Sequence, residues 1–168
     1  MEPVTGRTGS MKRPIALVAA CVFIVCCGGV DQQKFAAVSK AGKALQAEVE
    51  ANGRTPRPEA RDRLKEFDNE IAALHDKTIG RQEADALTAY GDAAEAYRYF
   101  LRFRALALDA EGGQIQLKGP NIEVASRYKL PVDTRAGAKW VNGAQAVTIL
   151  LQAGEQHLND GNRIVGIK

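Results

Sequence analysis

The chain has 168 residues, with 23 Lys and Arg against 20 Asp and Glu for a formal net charge of +3; 45% of it is hydrophobic and 26% charged. These are globular proportions, which exclude wholesale disorder and a polytopic membrane protein, and the length suits a single domain. The basic excess is too slight to specify nucleic acid as a partner.

The strongest signal comes first in the chain. Met11-Lys12-Arg13 is a small basic cluster. The run Ile15 to Val25 carries no charge, and Cys26, Cys27, Gly28 and Gly29 follow before the polar Asp31-Gln32-Gln33. A cationic start, an apolar core of 7–15 residues and a boundary of small residues describe a secretory signal peptide. Met11 is a natural start, so residues 1–10 are expected to be an over-called beginning. An uncleaved anchor in the inner membrane is the alternative, but a spanning helix needs roughly 20 apolar residues. The stretch Pro14 to Val30 reaches 17 only by including Pro14, Gly28 and Gly29.

All three cysteines, Cys21, Cys26 and Cys27, lie in or directly after this run, so the rest of the chain can form no disulfide framework. The segment 11–29 resembles a bacterial lipoprotein signal peptide. In that family a lipobox ends in a cysteine that receives a diacylglycerol and becomes the new N-terminus. The stretch Ile24-Val25-Cys26-Cys27 followed by Gly28-Gly29 favours Cys27, ahead of Cys21 (after Val18-Ala19-Ala20) and Cys26. An ordinary signal peptide cut after Gly29 or Ala20 is the competing reading. The resemblance implies a signal peptide over 1–26, a lipidated leader over 27–30 and a single domain over 31–168. Gly28 rather than Asp after the lipidated cysteine implies the outer membrane, periplasmic face. Removal of residues 1–26, with Glu2, Arg7, Lys12 and Arg13, leaves 142 residues at net +1. That charge is too small to capture nucleic acid or anionic lipid, so the acyl chains would provide the membrane attachment.

The remainder reads as helices. Asp31 is a good N-cap for a helix over about 32–51, with Phe35, Val38, Gly42, Leu45 and Val49 on one stripe and Gly53 as its stop. Thr55-Pro56-Arg57-Pro58 turns the chain into a second helix over about 58–77, whose stripe is Leu64, Phe67, Ile71 and Leu74, closed by Gly80. A third helix over about 81–110 carries two stripes. Leu87, Tyr90, Ala94, Tyr97, Leu101 and Leu108 form one; Tyr99, Phe103 and Leu106 form the other. A helix apolar on two sides is buried on both or offers one to a partner. Glu111-Gly112-Gly113 ends it. Gln114 to Lys118 alternates like a short strand without an obvious partner. Asn121 is placed as the cap of a short helical segment reaching Tyr128, and 130–133 as a loop. A last helix is expected from Thr134 or Trp140 to Asn159, with Trp140, Ala144, Val147, Leu151 and Leu158 inward and Asp160-Gly161 as its stop. The tail 164–167 docks back or frays. The expected fold is therefore all-α: an antiparallel bundle of about four helices with an irregular segment before the last.

No motif names a reaction. His75 and His157 lack the i, i+4 spacing of a helical zinc site. No G-x-S-x-G, P-loop or c-type haem motif is present. The pairs Glu48/Glu50 and Asp68/Glu70 read as solvated helix faces. No metal, cofactor or catalytic residue is assigned. The most distinctive cluster runs from Tyr97 to Arg104, where Arg98, Tyr99, Arg102 and Phe103 combine the residue types that anchor protein interfaces. The bland reading of the cluster is core aromatics with arginines snorkelling around them. The expected function is a lipid-anchored, periplasm-facing helical protein that acts on an envelope protein partner. The alternative is a helical domain holding a small apolar ligand among Tyr90, Tyr97 and Trp140. A catalytic site at His75 or His157 ranks last.

Overall fold

A computed structural model describes residues 30–51, 58–77 and 80–168. Five α-helices dominate: α1 (Gln32–Ala51), α2 (Pro58–His75), α3 (Arg81–Asp109), α4 (Pro120–Arg127) and α5 (Gly143–Val165). A small antiparallel sheet joins them, formed by β1 (Gln114–Gln116), β2 (Val132–Arg135) and β3 (Ala138–Asn142) in the order β1-β3-β2. The chain is mostly helical, as its periodicity requires, but it is not a plain four-helix bundle.

The first three helices follow the sequence pattern. Phe35, Val38, Gly42, Leu45 and Val49 are buried on α1, and Leu64, Phe67 and Leu74 on α2. Asp31 Oδ1 accepts from the Gln33 amide at 3.0 Å, as an N-cap should. Gly80 is the N-cap of α3 rather than the residue that closes α2. The expected connection around Gly53 and Thr55-Pro56-Arg57 lies outside the described residues. Both stripes of α3 reach the core, through Tyr90, Ala94, Tyr97 and Leu101 of the first and Phe103 of the second, but Leu108 of the first stripe is 58% exposed, because it lies near the end of the helix beyond that core.

The second half departs from expectation, and the hairpin is the reason. Arg135 pairs with Ala138 across a two-residue turn, and Ala136 and Gly137 both have positive φ (48° and 78°). That geometry matches the twist of antiparallel strands. It converts 132–142 from loop and helix start into β2 and β3. β3 also supplies the partner missing for β1, with Ile115 opposite Val141. The last helix therefore begins at Gly143, capped by Asn142, whose Oδ1 accepts from the Gln145 amide at 3.0 Å. Trp140 belongs to β3 and stands outside the main core cluster, so it is not the anchor between long helices that its stripe position implied. α4 starts two residues earlier than expected, with Gly119 rather than Asn121 at the cap; Asn121 lies inside the first turn and is buried.

Asp160-Gly161 does not stop α5. Gly161 is an interior packing position: a Cβ there would stand 2.9 Å from the Tyr90 ring. The helix runs on to Val165 and ends at Gly166 in the left-handed conformation (φ 73°), with the Ile167 amide returning to the Asn162 carbonyl. The tail docks back. Gln32 Nε2 donates to the Gly166 carbonyl at 3.2 Å and Lys43 Nζ to that of Lys168 at 2.7 Å. The buried stripe of α5 is Gly143, Ala146, Leu150, Gly154, Leu158, Gly161 and Val165, about one residue round from the expected one, with Leu158 common to both.

α3 and α5 run antiparallel and close together because α5 offers glycines to aromatic rings. Gly154 faces Tyr97, Gly161 faces Tyr90, and Gly143 meets Ala107. Tyr90 is stacked with Phe35 (6.2 Å between centroids) and edge-on to Phe67 (6.3 Å). A buried polar knot lies beside it. Ser39 Oγ and Tyr90 Oη both donate to Asn162 Oδ1, at 2.6 and 2.9 Å, and so tie α1, α3 and α5 together. Burial pushes the Tyr90 hydroxyl pKa up to about 12, so it is a donor at any physiological pH.

Candidate interaction surface

The four residues singled out on α3 do not form one surface. Phe103 is fully buried in the core, which removes it from any partner face. Its side chain lies on the inner side of α3, about 100° from Arg102 as the helical repeat requires. Tyr99 turns toward α4: its hydroxyl donates to Glu95 at 3.2 Å and its ring meets Tyr128 edge-on at 6.0 Å. Arg127 fastens the same corner, reaching Asp92 at 3.1 Å and Glu95 at 2.6 Å.

Arg98 and Arg102 remain exposed on one side, and there they border a groove of about 400 Å³ between α2 and α3. Leu64, Leu101, Ala105 and Leu106 supply its apolar lining, Arg61 adds a third guanidinium, and Asp109 stands at one end. Arg98 is held in place by Asp68 of α2, with Nη2 at 2.8 Å from both carboxylate oxygens. Arg61 and Arg102 make no ion pair among the described residues. The groove thus combines an aliphatic floor with two uncompensated cations. Arg104, by contrast, is buried against the Phe100 ring at 5.5 Å, and burial lowers its pKa.

A second groove, of about 500 Å³, lies between α4 and the sheet. Ile122 and Val132, 38% and 41% exposed, stand at its edge with Lys129 and Lys139. Lys129 adopts a left-handed backbone (φ 51°) at the end of α4, where the Leu130 amide returns to the Ala125 carbonyl. Sequence reasoning missed this region because it depends on the hairpin. The positive-φ turn at Ala136-Gly137 was the available signal, and an Ala in its first position hides it.

The three aromatics expected to line an interior ligand site do not converge on one. Tyr90 and Tyr97 are packed against Gly161 and Gly154, and Trp140 lies apart on β3. His75 is exposed at the end of α2, with Nδ1 3.8 Å from Asp76, and His157 is half-buried on α5. Among the described residues no group of three or more His, Cys, Asp and Glu could hold a metal. No described helix is long and apolar enough to cross a membrane. Cys21, Cys26 and Cys27 lie outside the described residues. Comparison with protein-family models, curated proteins and solved structures gives no match to this chain.

Proposed function

We propose that the chain is a lipid-anchored, periplasm-facing envelope protein, acylated at Cys27, that works without catalysis by docking a protein partner in the α2–α3 groove. The observation that carries the docking reading is the pairing of an aliphatic floor with guanidinium groups that make no ion pair among the described residues. Leu64, Leu101 and Leu106 suit the apolar face of a helix, and Arg61 and Arg102 call for carboxylates beside that face. The partner is accordingly an acidic amphipathic segment.

The placement suits a tethered protein. Lys34, near the start of α1, is ion-paired with Glu83, near the start of α3, so the leader joins the body at that end. The groove residues Arg98 to Asp109 lie 15 or more positions further along α3, which is about 20 Å or more at 1.5 Å per residue. An anchor at one end therefore leaves the groove facing away from the bilayer.

A photo-crosslinking side chain at Ala105 tests this reading in intact cells. A discrete adduct is expected from position 105 and none from the exposed Ala47 on α1. Arg102→Glu should reduce the adduct about tenfold, the equivalent of about 1.4 kcal/mol of binding. Equal labelling from both positions, or an adduct indifferent to Arg102→Glu, rules out the groove.

A further inference from the structure

The strand order β1-β3-β2 leaves β2 at one edge of the sheet, and all four of its residues are exposed. β1, at the opposite edge, is buried or half-buried throughout. The turn at Ala136-Gly137 decides which backbone groups β2 directs outward. A two-residue turn of this kind closes on a hydrogen-bonded pair, here Arg135 and Ala138. Hydrogen-bonded and non-hydrogen-bonded pairs then alternate along the antiparallel ladder. The backbone groups of Asp133 therefore also face β3, whereas the amides and carbonyls of Val132 and Thr134 point away from it. Lys139, opposite Thr134, agrees: its carbonyl is turned to the other side, where it accepts from the Leu117 amide at 2.8 Å. Among the described residues the outward groups of Val132 and Thr134 meet no protein partner.

Such a row of amides and carbonyls is a template for another strand, and charged side chains on an edge normally turn strangers away. On β2 the charges are ordered so that the strand complements itself. Asp133 and Arg135 lie on one face, two residues apart, with Oδ2 and Nε at 2.6 Å. A two-fold axis makes the added strand antiparallel, and residue i then meets j as j meets i. Outward groups must also meet outward groups, which leaves registers centred on a single residue. Centring on Asp133 sets two carboxylates face to face, and centring on Arg135 does the same with two guanidinium groups. Centring on Val132 sets Asp133 against Pro131. Centring on Thr134 sets Asp133 opposite Arg135 of the second copy, twice. Both are non-hydrogen-bonded pairs, in which side chains stand closest. The four charges then alternate in sign around the axis.

We propose that β2 pairs with β2 of a second copy of this chain, antiparallel and centred on Thr134, to join the two sheets into one. The Thr134 amide of each copy donates to the Thr134 carbonyl of the other. Val132, 41% exposed, comes opposite Ala136 at the tip of the second hairpin. The assembly closes at two, because β1 is covered and each copy has spent its open edge. No residue of β2 lines the α2–α3 groove, so this pairing stands apart from the docking reading.

The test is crosslinking of the full-length chain in expressing cells by a short bismaleimide, with wild type giving the background from the native cysteines. Thr134→Cys, which sits on the axis, is expected to give an adduct of twice the chain mass, and Ala47→Cys on the exposed side of α1 none above background. Added to Thr134→Cys, either Asp133→Arg or Arg135→Asp sets like charges opposite each other and should reduce that adduct about tenfold. Both substitutions in one chain should restore it. The decisive arm co-expresses the two single variants under different tags. Neither complements itself, but together they regain opposite charges at both pairs, so an adduct joining the two tags is expected. Equal crosslinking from positions 134 and 47 would overturn the proposal. So would single variants that crosslink as well as their parent, or a co-expressed pair that crosslinks no better than either alone. A Thr134→Cys adduct chiefly to a different protein assigns the edge to another partner and overturns it equally.

Discussion

Asn162→Leu is expected to destabilise the protein by about 3 kcal/mol, measured as a lower urea midpoint with unchanged slope. Asn162 Oδ1 is the common acceptor for Ser39 and Tyr90, and all three side chains are buried. Removing the acceptor strands two hydroxyls where water does not reach, and each stranded donor costs about 1–3 kcal/mol. Nearly isosteric leucine keeps most of the volume, so the loss reports the hydrogen bonds more than a cavity. Ser39→Ala and Tyr90→Phe, added together to Asn162→Leu, remove the stranded groups and should restore more than half of the lost stability. If the triple variant is no more stable than Asn162→Leu, packing rather than hydrogen bonding holds this layer.

Gly161→Val is expected to cost about 3 kcal/mol or more, and Gly154→Val a similar amount, read from thermal or urea unfolding. A Cβ on Gly161 meets the Tyr90 ring at 2.9 Å, and one on Gly154 meets the Tyr97 ring at 3.0 Å. Neither ring can yield easily. Tyr90 is wedged by Phe35 and Phe67, and its hydroxyl is fixed by Asn162. The α3–α5 spacing would have to open instead. Gly91 on α3 is the internal control. A Cβ there meets nothing within 4 Å, so Gly91→Ala should stabilise by up to about 1 kcal/mol through helix propensity. Opposite signs at Gly91 and Gly161 are the signature of glycine used as a packing surface. Destabilisation of similar size at both positions contradicts it.

These two results bear on what the sequence could reveal. The stripes of α1 and α2 were legible because large aliphatic and aromatic residues recur at three- and four-residue steps, as with Phe35, Val38, Leu45 and Val49. On α5 the same rule selected Ala144, Val147 and Leu151, whereas the buried face is built on Gly143, Gly154 and Gly161. Hydrophobic periodicity cannot find a face whose defining property is the absence of side chains. Gly161 even read as a stop, since nothing local distinguishes a helix-ending glycine from one that receives an aromatic ring across 70 residues of sequence. The hairpin was missed for a related reason. Ala136-Gly137 takes the left-handed turn normally marked by Asn-Gly, and Trp140 and Val141 suit a helix stripe as well as a strand.

The candidate surface was half legible. Arg98 and Arg102 share one side of α3, as their one-turn spacing requires, and the structure sets beside them Arg61 and Leu64 of α2 along with Leu101 and Leu106 of α3. Tyr99 and Phe103 could not be sorted from sequence. One is turned aside by α4 and the other is consumed by the core, and both outcomes depend on which helices pack on which side of α3.

Export and acylation underlie the proposed function, and the intact mass of the protein extracted from membranes tests them most directly. Wild type is expected to begin at Cys27 with the added mass of several acyl chains, and Cys27→Ser to lose that mass. An unacylated chain recovered with residues 11–26 still attached from the soluble cytosolic fraction contradicts it.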